Sequence, residues 1–319
     1  MGGSGLTAEE IQRRIREIKT LTSKPFGVDL LLPVSLADAK NSRAEVRKQL
    51  QNEYPDYVNF VERLKREFEI PDMETETDFV LTAQSIRDQV QVVLDENVPV
   101  FAAGLGDPSW VVPLAREKSI TVMGLVGTVR HAVRQVEAGV DIVVSQGYEA
   151  GGHTGRIANF PLIPQVVDAV DPVPVIAGGG IADGRGIAAA LSLGAIGAWI
   201  GTAFLAASES WIPKMHQEQI VSGRSEDFVV TRAYTGKTAR DYKNLIIDAW
   251  EKSDLAPLPM PLQEILMADL VRGAEKIGKH DLVNNPAGQI GGLIKELRPA
   301  AEIMDDLVAG TVRVLDGLP

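Results

Sequence analysis

Up to residue 207, short apolar runs alternate with helical segments, and this alternation constrains the fold more than any other feature. Each apolar run is long enough for one buried strand, and the runs cover residues 26–32, 98–103, 120–125, 140–145, 173–177 and 197–201. Strands that are apolar on both faces and alternate with helices are typical of a parallel sheet covered on both sides. The sequence therefore predicts an α/β fold of the TIM-barrel, or (β/α)8, type.

The number of apolar runs is smaller than a closed barrel requires, since such a barrel has eight strands. The shortfall lies at the N-terminus, where the residues Met1 to Gly5 lead directly into a helical segment at residues 7–21. Two explanations stay open at this point. Either further strands escape the pattern, or the chain begins after the first strand and helix of its fold. We expect a barrel whose N-terminal strand is missing from this chain.

Two regions depart from the alternation. Residues 35–76 are dense in charged residues and carry apolar residues at helical spacing, which predicts a helical insertion with a solvated face. After residue 210, helices are predicted at residues 213–222, 241–251, 262–278 and 298–315, and the string YTGKTAR at residues 234–240 is expected to be a surface or lid loop. We therefore predict a barrel domain over residues 1–210 and a helical region over residues 211–319 that covers it.

Composition excludes several classes of function. The chain carries 32 basic and 43 acidic residues, and its net charge of −11 argues against nucleic acid and against an anionic membrane surface as partners. It contains no cysteine, so disulfides, thiolate nucleophiles and cysteine metal sites are excluded. No apolar stretch has the length of a membrane span, and residues 1–20 do not form a signal peptide. The expectation is a soluble cytoplasmic protein.

The string SQGYEAGGHTGR at residues 145–156 follows the fourth apolar run, where a barrel places its site residues. The pair Gly151 and Gly152 lets the backbone approach a flat ligand closely, and Gln146 could hydrogen-bond such a ligand. Three interpretations of His153 are open: a structural loop histidine, a metal ligand, or a general base beside a cofactor. The other histidines are not spaced as metal ligands, and the rim position favours the base. Glu149 is expected to orient His153 or to face solvent.

Two glycine-rich turns follow in the segment of residues 175–204. Gly178, Gly179 and Gly180 end one predicted strand, and Gly201 and Thr202 end the next. Barrels hold phosphate groups in the loops after their last two strands, where backbone N–H groups and a helix N-terminus bind the anion. The alternative is that these glycines only permit tight turns. Two such turns in succession favour a phosphate site.

Three strings resemble the nitronate monooxygenases, formerly called 2-nitropropane dioxygenases. They are PFGVDLLLP at residues 25–33, QGYEAGGHTG at residues 146–155 and AGGGIADGRGIAAALSLGAIGAWIGTAF at residues 177–204. Flavin-dependent enoyl-ACP reductases are similar at the last two strings. One departure from the family is Asp29, which stands where the family usually has Asn. A carboxylate near the flavin would disfavour an anionic reduced ring and an anionic nitronate unless it is protonated or turned away.

The resemblance implies an FMN-dependent barrel enzyme that oxidises alkyl nitronates, such as propionate 3-nitronate, with O₂ to a carbonyl compound and nitrite. His153 would be the base or the partner of the anionic substrate. The residues implied to contact FMN fall into two groups: Gln146, Gly151 and Gly152 along the flavin, and Gly179, Gly180, Gly201 and Thr202 around its phosphate. The implied partners are a small-molecule substrate and O₂, and a homodimer is one expected assembly.

Two alternatives to this function stay open. The first is an enoyl-ACP-type reductase that uses FMN and NAD(P)H, because the same strings resemble that family. The second is a non-catalytic homologue that binds flavin or phosphate, and the missing N-terminal strand is the reason to consider it.

Overall fold

The six apolar runs form one parallel sheet in the computed structural model, which describes residues 1–32, 43–73 and 82–317. The strands of this region and of the remaining chain are β1 (Gly27–Leu32), β2 (Val100–Gly106), β3 (Thr121–Val126), β4 (Ile142–Gln146), β5 (Gly152–His153), β6 (Val175–Gly178), β7 (Gly197–Trp199), β8 (Phe228–Thr231) and β9 (Ala239–Tyr242). The sheet order is β1-β2-β3-β4-β6-β7, and every neighbouring pair is parallel. The predicted α/β class and its six strands are confirmed.

Helices connect and surround these strands, because parallel neighbours need a crossover connection. They are α1 (Ala8–Leu21), α2 (Arg43–Glu53), α3 (Pro55–Glu67), α4 (Ala83–Asp95), α5 (Val112–Glu117), α6 (Val129–Glu137), α7 (Asn159–Val170), α8 (Gly184–Ser192), α9 (Thr202–Leu205), α10 (Lys214–Ser222), α11 (Leu245–Glu251), α12 (Leu262–Lys276) and α13 (Ala300–Asp316). Apolar residues of α1 and α4, such as Ile15 and Val93, pack with Leu30 and Phe101 of the sheet in one buried cluster. No helix within the described ranges is long and apolar enough to cross a membrane.

The first residues of the chain extend the sheet beyond β1. The N–H of Asp29 donates to the carbonyl oxygen of Met1, and the N–H of Gly3 donates to that of Asp29, both at 2.8 Å. Gly2 thereby forms a parallel bridge with Asp29. Among the described residues no strand pairing joins this edge to β7, so the barrel-type sheet has an open seam.

A second, antiparallel sheet joins β5, in the loop that carries His153, to β8 and β9, two strands that the sequence pattern does not predict. Its order is β5-β9-β8, and it pairs Gly152 with Arg240 and His153 with Ala239. The helix predicted over residues 241–251 begins only at Leu245, and residues 241 and 242 belong to β9. Residues 234–238 form the predicted loop, but residues 239 and 240 are strand, and Tyr234 is buried and so does not lie on the surface. Arg240 is only 2% exposed, because its guanidinium donates to the carbonyl oxygens of Phe228 and Tyr148 at 2.6 and 2.9 Å.

The charged insertion builds a second apolar core with the C-terminal region. Residues 35–42 and 74–76 of the predicted insertion lie outside the described residues, and α2 and α3 occupy most of residues 43–67. Phe60 and Leu64 of α3 pack with Trp250, Leu270 and Tyr234 in one cluster. This core supports the chain segment that begins at Ala233 and leads into β9. The domain boundary at residue 210 stays a prediction.

Candidate active site

A cavity of about 1060 Å³ lies at the carboxyl ends of β2, β3 and β4. Gly104 to Gly106 at the end of β2, and Asp107 after it, line one side of the cavity, and Gln146 at the end of β4 lines another. His153 contributes to the wall, as do Gly236 and Lys237 from the segment before β9. This is the end of the strands at which barrel enzymes place their sites. The predicted residues Gln146 and His153 therefore meet in one cavity.

Positive charge predominates in the lining of this cavity. Besides the two histidines His131 and His153, the lining contains four positively charged side chains and two negatively charged ones. The positive ones are Arg134, Arg156, Arg232 and Lys237, and the negative ones are Asp107 and Glu137. The chain as a whole has a net charge of −11, so the cavity wall is opposite in sign to the protein. A cavity lined by one sign of charge concentrates ligands of the opposite sign. This cavity is therefore suited to an anionic ligand.

His153 is half-buried, and its ring is held from one side. Its Nε2 lies 3.2 Å from the hydroxyl oxygen of Thr235, which also lies 3.2 Å from the carbonyl oxygen of Lys237. When the Thr235 hydroxyl donates its hydrogen bond to that carbonyl oxygen, its own oxygen is left to accept a hydrogen bond from Nε2–H of His153. Nδ1 is then the basic nitrogen of the ring. Burial, followed by the positive charge of Lys237, lowers the pKa of His153 from its ordinary value of 6.5. A neutral imidazole with a free nitrogen is suited to accept a proton.

Gln146 and Glu149 hold the loop around His153 rather than the ring itself. The Nε2 of Gln146 donates to the main-chain oxygen of His153 at 2.7 Å. The carboxylate of Glu149 accepts from the main-chain N–H of Asn159 at 3.0 and 3.2 Å. Glu149 therefore does not orient the His153 ring, which was one of its two predicted roles, and its half-buried side chain binds Asn159. The Asn159 amide in turn donates to the carbonyl oxygen of Gly179, a link between two loops that the sequence pattern did not reveal.

The two glycine-rich turns lie side by side on the same rim. Strand register places Gln146 beside Gly178 and Gly178 beside Trp199, so the loops that follow these residues are neighbours. Gly179 has φ +85°, and a Cβ on it would lie 2.9 Å from Ala150. Gly180 has φ +69°. These turns bring the predicted phosphate residues next to the loop of residues 147–151.

Gly201 and Thr202 differ in their surroundings. A Cβ on Gly201 would meet no atom within 4 Å, so the backbone there borders open space. Thr202 is buried, and its hydroxyl oxygen accepts from the N–H of Gly288 at 2.8 Å. Neither residue lines the large cavity, and the same is true of Gly179 and Gly180.

Gly151 and Gly152 are placed by close backbone contacts. A Cβ on Gly151 would lie 2.5 Å from the carbonyl carbon of Ala287 and 2.6 Å from the nitrogen of Gly288. Gly152 has φ +69° and pairs with Arg240 in the antiparallel sheet. The glycine pair therefore lets a C-terminal segment pack directly on the loop that carries His153.

Comparison with known sequences gives the family. The model of the nitronate monooxygenase family matches residues 1–310. The chain belongs to the nitronate monooxygenase family. A Mycobacterium tuberculosis protein named as a monooxygenase is 35% identical to it over 312 residues, which are 92% of this chain and 83% of that protein. A Staphylococcus haemolyticus protein named as a nitronate monooxygenase is 31% identical over 320 residues, which cover 97% of this chain and 85% of the relative.

Solved structures agree with this membership of the nitronate monooxygenase family. Nitroalkane oxidase from Streptomyces ansochromogenes has a TM-score of 0.84 and 29% identity, and the match covers 100% of this chain and 89% of the oxidase. FabK from Thermotoga maritima has a TM-score of 0.71 and 26% identity, and the match covers 98% of this chain and 83% of FabK. The predicted family and the predicted enzyme class, a flavin oxidoreductase, are confirmed.

The rim of this nitronate monooxygenase family member fits the phosphate end of a flavin nucleotide. In the described part of the chain, the backbone N–H groups of Gly179, Gly180, Gly201 and Thr202 donate no hydrogen bond. Free N–H groups on adjacent turns are the donors that phosphate sites use. The open space at Gly201 leaves room for a ligand beside them.

Asp29 lies beneath the wall of the large cavity. Burial raises the pKa of its carboxyl group to about 6, and the positive charge of the Met1 amino group and then the backbone N–H of Gly104 oppose this rise. The Oδ1 atom has no hydrogen-bond partner in the described residues, and a Cβ on Gly104 would lie 2.8 Å from it. The carboxyl group thus packs against the backbone of Gly104, whose other side lines the cavity.

Proposed function

We propose that this protein uses FMN to oxidise alkyl nitronates, such as propionate 3-nitronate, with O₂ to a carbonyl compound and nitrite. The observation that carries the proposal is the position of His153. Its half-buried imidazole forms part of a cavity wall that is rich in positive charge, at the carboxyl ends of the parallel strands. A nitronate is an anion, so this wall favours its entry.

The loops on the rim are our candidates for holding FMN. Gly179, Gly180, Gly201 and Thr202 would bind the phosphate through their free N–H groups. Gln146, Gly151 and Gly152 would border the ring system. Gln146 connects the phosphate-binding rim with the large cavity, because it pairs with Gly178 and also lines the cavity. When bound, the flavin supplies the redox chemistry.

The protein's own contribution is to orient the substrate and to handle charge and protons. Nδ1 of His153 would accept a proton from a neutral nitroalkane, or the protonated ring would pair with the nitronate. Lys237 is half-buried next to His153, and its positive charge would bind a second anionic group of the substrate.

The function is tested with purified protein that has been loaded with FMN. We expect a flavin absorption spectrum, and nitrite release from propionate 3-nitronate in air that stops when O₂ is removed. The likeness to FabK is the observation that favours a reductase as the second candidate. Rapid anaerobic bleaching of the flavin by NADH or NADPH, without nitrite release, would support that candidate instead. A protein that binds no flavin would support the non-catalytic alternative.

A change at Lys237 tests how the cavity selects substrates. In a Lys237→Met variant we expect the KM for propionate 3-nitronate to rise about tenfold, because one charge-assisted contact to the carboxylate is lost. The KM for ethyl nitronate, which has no carboxylate, should change much less. Steady-state nitrite release measures both values. Lys252→Met, an exposed lysine outside the cavity lining, is the control, and an equal rise for both substrates would remove Lys237 from carboxylate binding.

A further inference from the structure

A second and smaller cavity, of about 90 Å³, lies against His153. His153 lines both this cavity and the large one, so its ring stands between them. The walls of the small cavity include Thr235, which contacts Nε2 of His153, and the carboxylate-bearing residue Asp241. A polar cavity of this volume has room for more than one water molecule.

The antiparallel sheet places Asp241 on the same face as His153. His153 is paired directly with Ala239, and Asp241 follows two residues later on β9. Directly paired residues share a face, as do residues two apart on one strand. Asp241 is therefore the diagonal neighbour of His153, at a Cβ separation of about 7 Å, which one bridging water can span.

Asp241 lacks the partners that a buried carboxyl group normally has. It is 2% exposed, and within the described ranges no hydrogen bond or opposite charge offsets the effect of burial on its pKa. Buried carboxyl groups without such partners are stabilised by ordered water or by protonation. Burial raises the pKa of Asp241 to about 7, close to the range in which an imidazole titrates.

We propose that Asp241 is a positioning residue for His153, and that the two groups share one proton through water held in the small cavity. This inference rests on the role of His153 in the proposed function. A C–H bond of a neutral nitroalkane breaks, its electron pair stays on the nitronate that forms, and its proton forms an N–H bond at Nδ1 of His153. The proton on Nε2, the nitrogen that faces Thr235 and the small cavity, then passes through the water to the carboxylate of Asp241. The ring is thereby returned to its neutral form. No oxidant is consumed in this transfer.

The charged and titratable groups around the pair come from several elements. Tyr234 lies beside Asp241, and burial raises the pKa of its hydroxyl above the usual range. The positive charge of Lys237 lowers the pKa of His153, and the negative charge of Asp281 raises the pKa of Tyr234. The Cζ atom of the adjacent Arg240 lies over the ring of Tyr148, 4.5 Å from the ring centroid. The facing residues of β8, Val229 and Thr231, carry no titratable group.

The test is an NMR titration of the His153 ring in the full-length protein, which needs no substrate. In the wild-type protein we expect two coupled steps, the upper one near pH 7, because interacting groups titrate as a pair. Asp241→Asn should remove the upper step, Asp241→Glu should restore it, and Asp281→Asn, an exposed carboxylate outside the cavity, should leave it unchanged. A single step in the wild-type protein would overturn the proposal, even where Asp241→Asn fails to fold.

The pH profile of nitrite release from a neutral nitroalkane gives the functional readout. The acid limb of kcat/KM should move to lower pH by about one unit in Asp241→Asn, because the limb then reports His153 alone. An unmoved limb contradicts proton sharing. If the wild-type protein releases no nitrite but its ring still titrates in two steps, the proposed function fails while the pairing of Asp241 with His153 stands.

Discussion

Replacing His153 with Asn is expected to lower nitrite release from a neutral nitroalkane by about 10²–10⁴-fold, the range that general acid–base groups contribute. The flavin content should stay at the wild-type value. The contacts that hold this loop involve the main chain of His153, namely its pairing with Ala239 and the hydrogen bond from Gln146. Turnover numbers and flavin absorbance of the same preparation measure the two quantities separately.

The matched control for this variant is His280→Asn. His280 is one of the four histidines and lies outside the residues that line either cavity next to His153. Its replacement should leave turnover within about twofold of wild type, since substitutions away from a site have small effects. Unchanged turnover in His153→Asn, with the flavin retained, would exclude His153 as the catalytic base.

Replacing Gly151 with Ala is expected to lower the free energy of unfolding by about 3 kcal/mol, the upper part of the range for overpacked sites. The added Cβ would lie 2.5 Å from the carbonyl carbon of Ala287 and 2.6 Å from the nitrogen of Gly288. Both neighbours are backbone atoms, so no side chain can rotate away and the segment itself must shift. Urea unfolding followed by circular dichroism measures the loss.

Gly197→Ala is the control for the added methyl group. Gly197 lies in β7, and a Cβ there would meet no atom within 4 Å. Its stability should stay within about 0.5 kcal/mol of wild type, as for other unstrained surface changes. If the two variants were equally stable, the loop that carries His153 could not pack on Ala287 and Gly288 as closely as described.

The strands of the parallel sheet were predictable because each one is a local run of apolar residues. Val28 and Leu30 in β1, and Val143 and Val144 in β4, are all fully buried. The strand β9 escaped prediction because its sequence, ARDY, has charged residues at its centre, and β8, with the sequence FVVT, is an apolar run of only four residues outside the strand–helix alternation. Arg240 is buried there only because carbonyl groups 12 and 92 residues away accept its hydrogen bonds.

The residues of the candidate site also divide into those that local sequence predicts and those that only the structure reveals. Gln146 and His153 were predicted together because they follow one strand within a short string, and both line the large cavity. Thr235 lies in the string YTGKTAR, which was predicted to be a surface or lid loop, and Asp241 follows that string directly. Both residues come close to His153 only through the pairing of β5 with β9. Asn159 likewise joins Glu149 to Gly179 across two loops. Such residues are found from coordinates, since nothing in their local sequence marks them.

By itself, the sequence determined the α/β class, the six parallel strands, the rim loops and the nitronate monooxygenase family, because all of these depend on the local order of residues. Only the tertiary structure decided what surrounds His153. Thr235 lies 82 residues further along the chain, yet its hydroxyl contacts the imidazole. The insertion and the C-terminal helices support that segment through a core of their own. Contacts between distant residues depend on how the whole chain packs, and no short stretch of sequence contains that information.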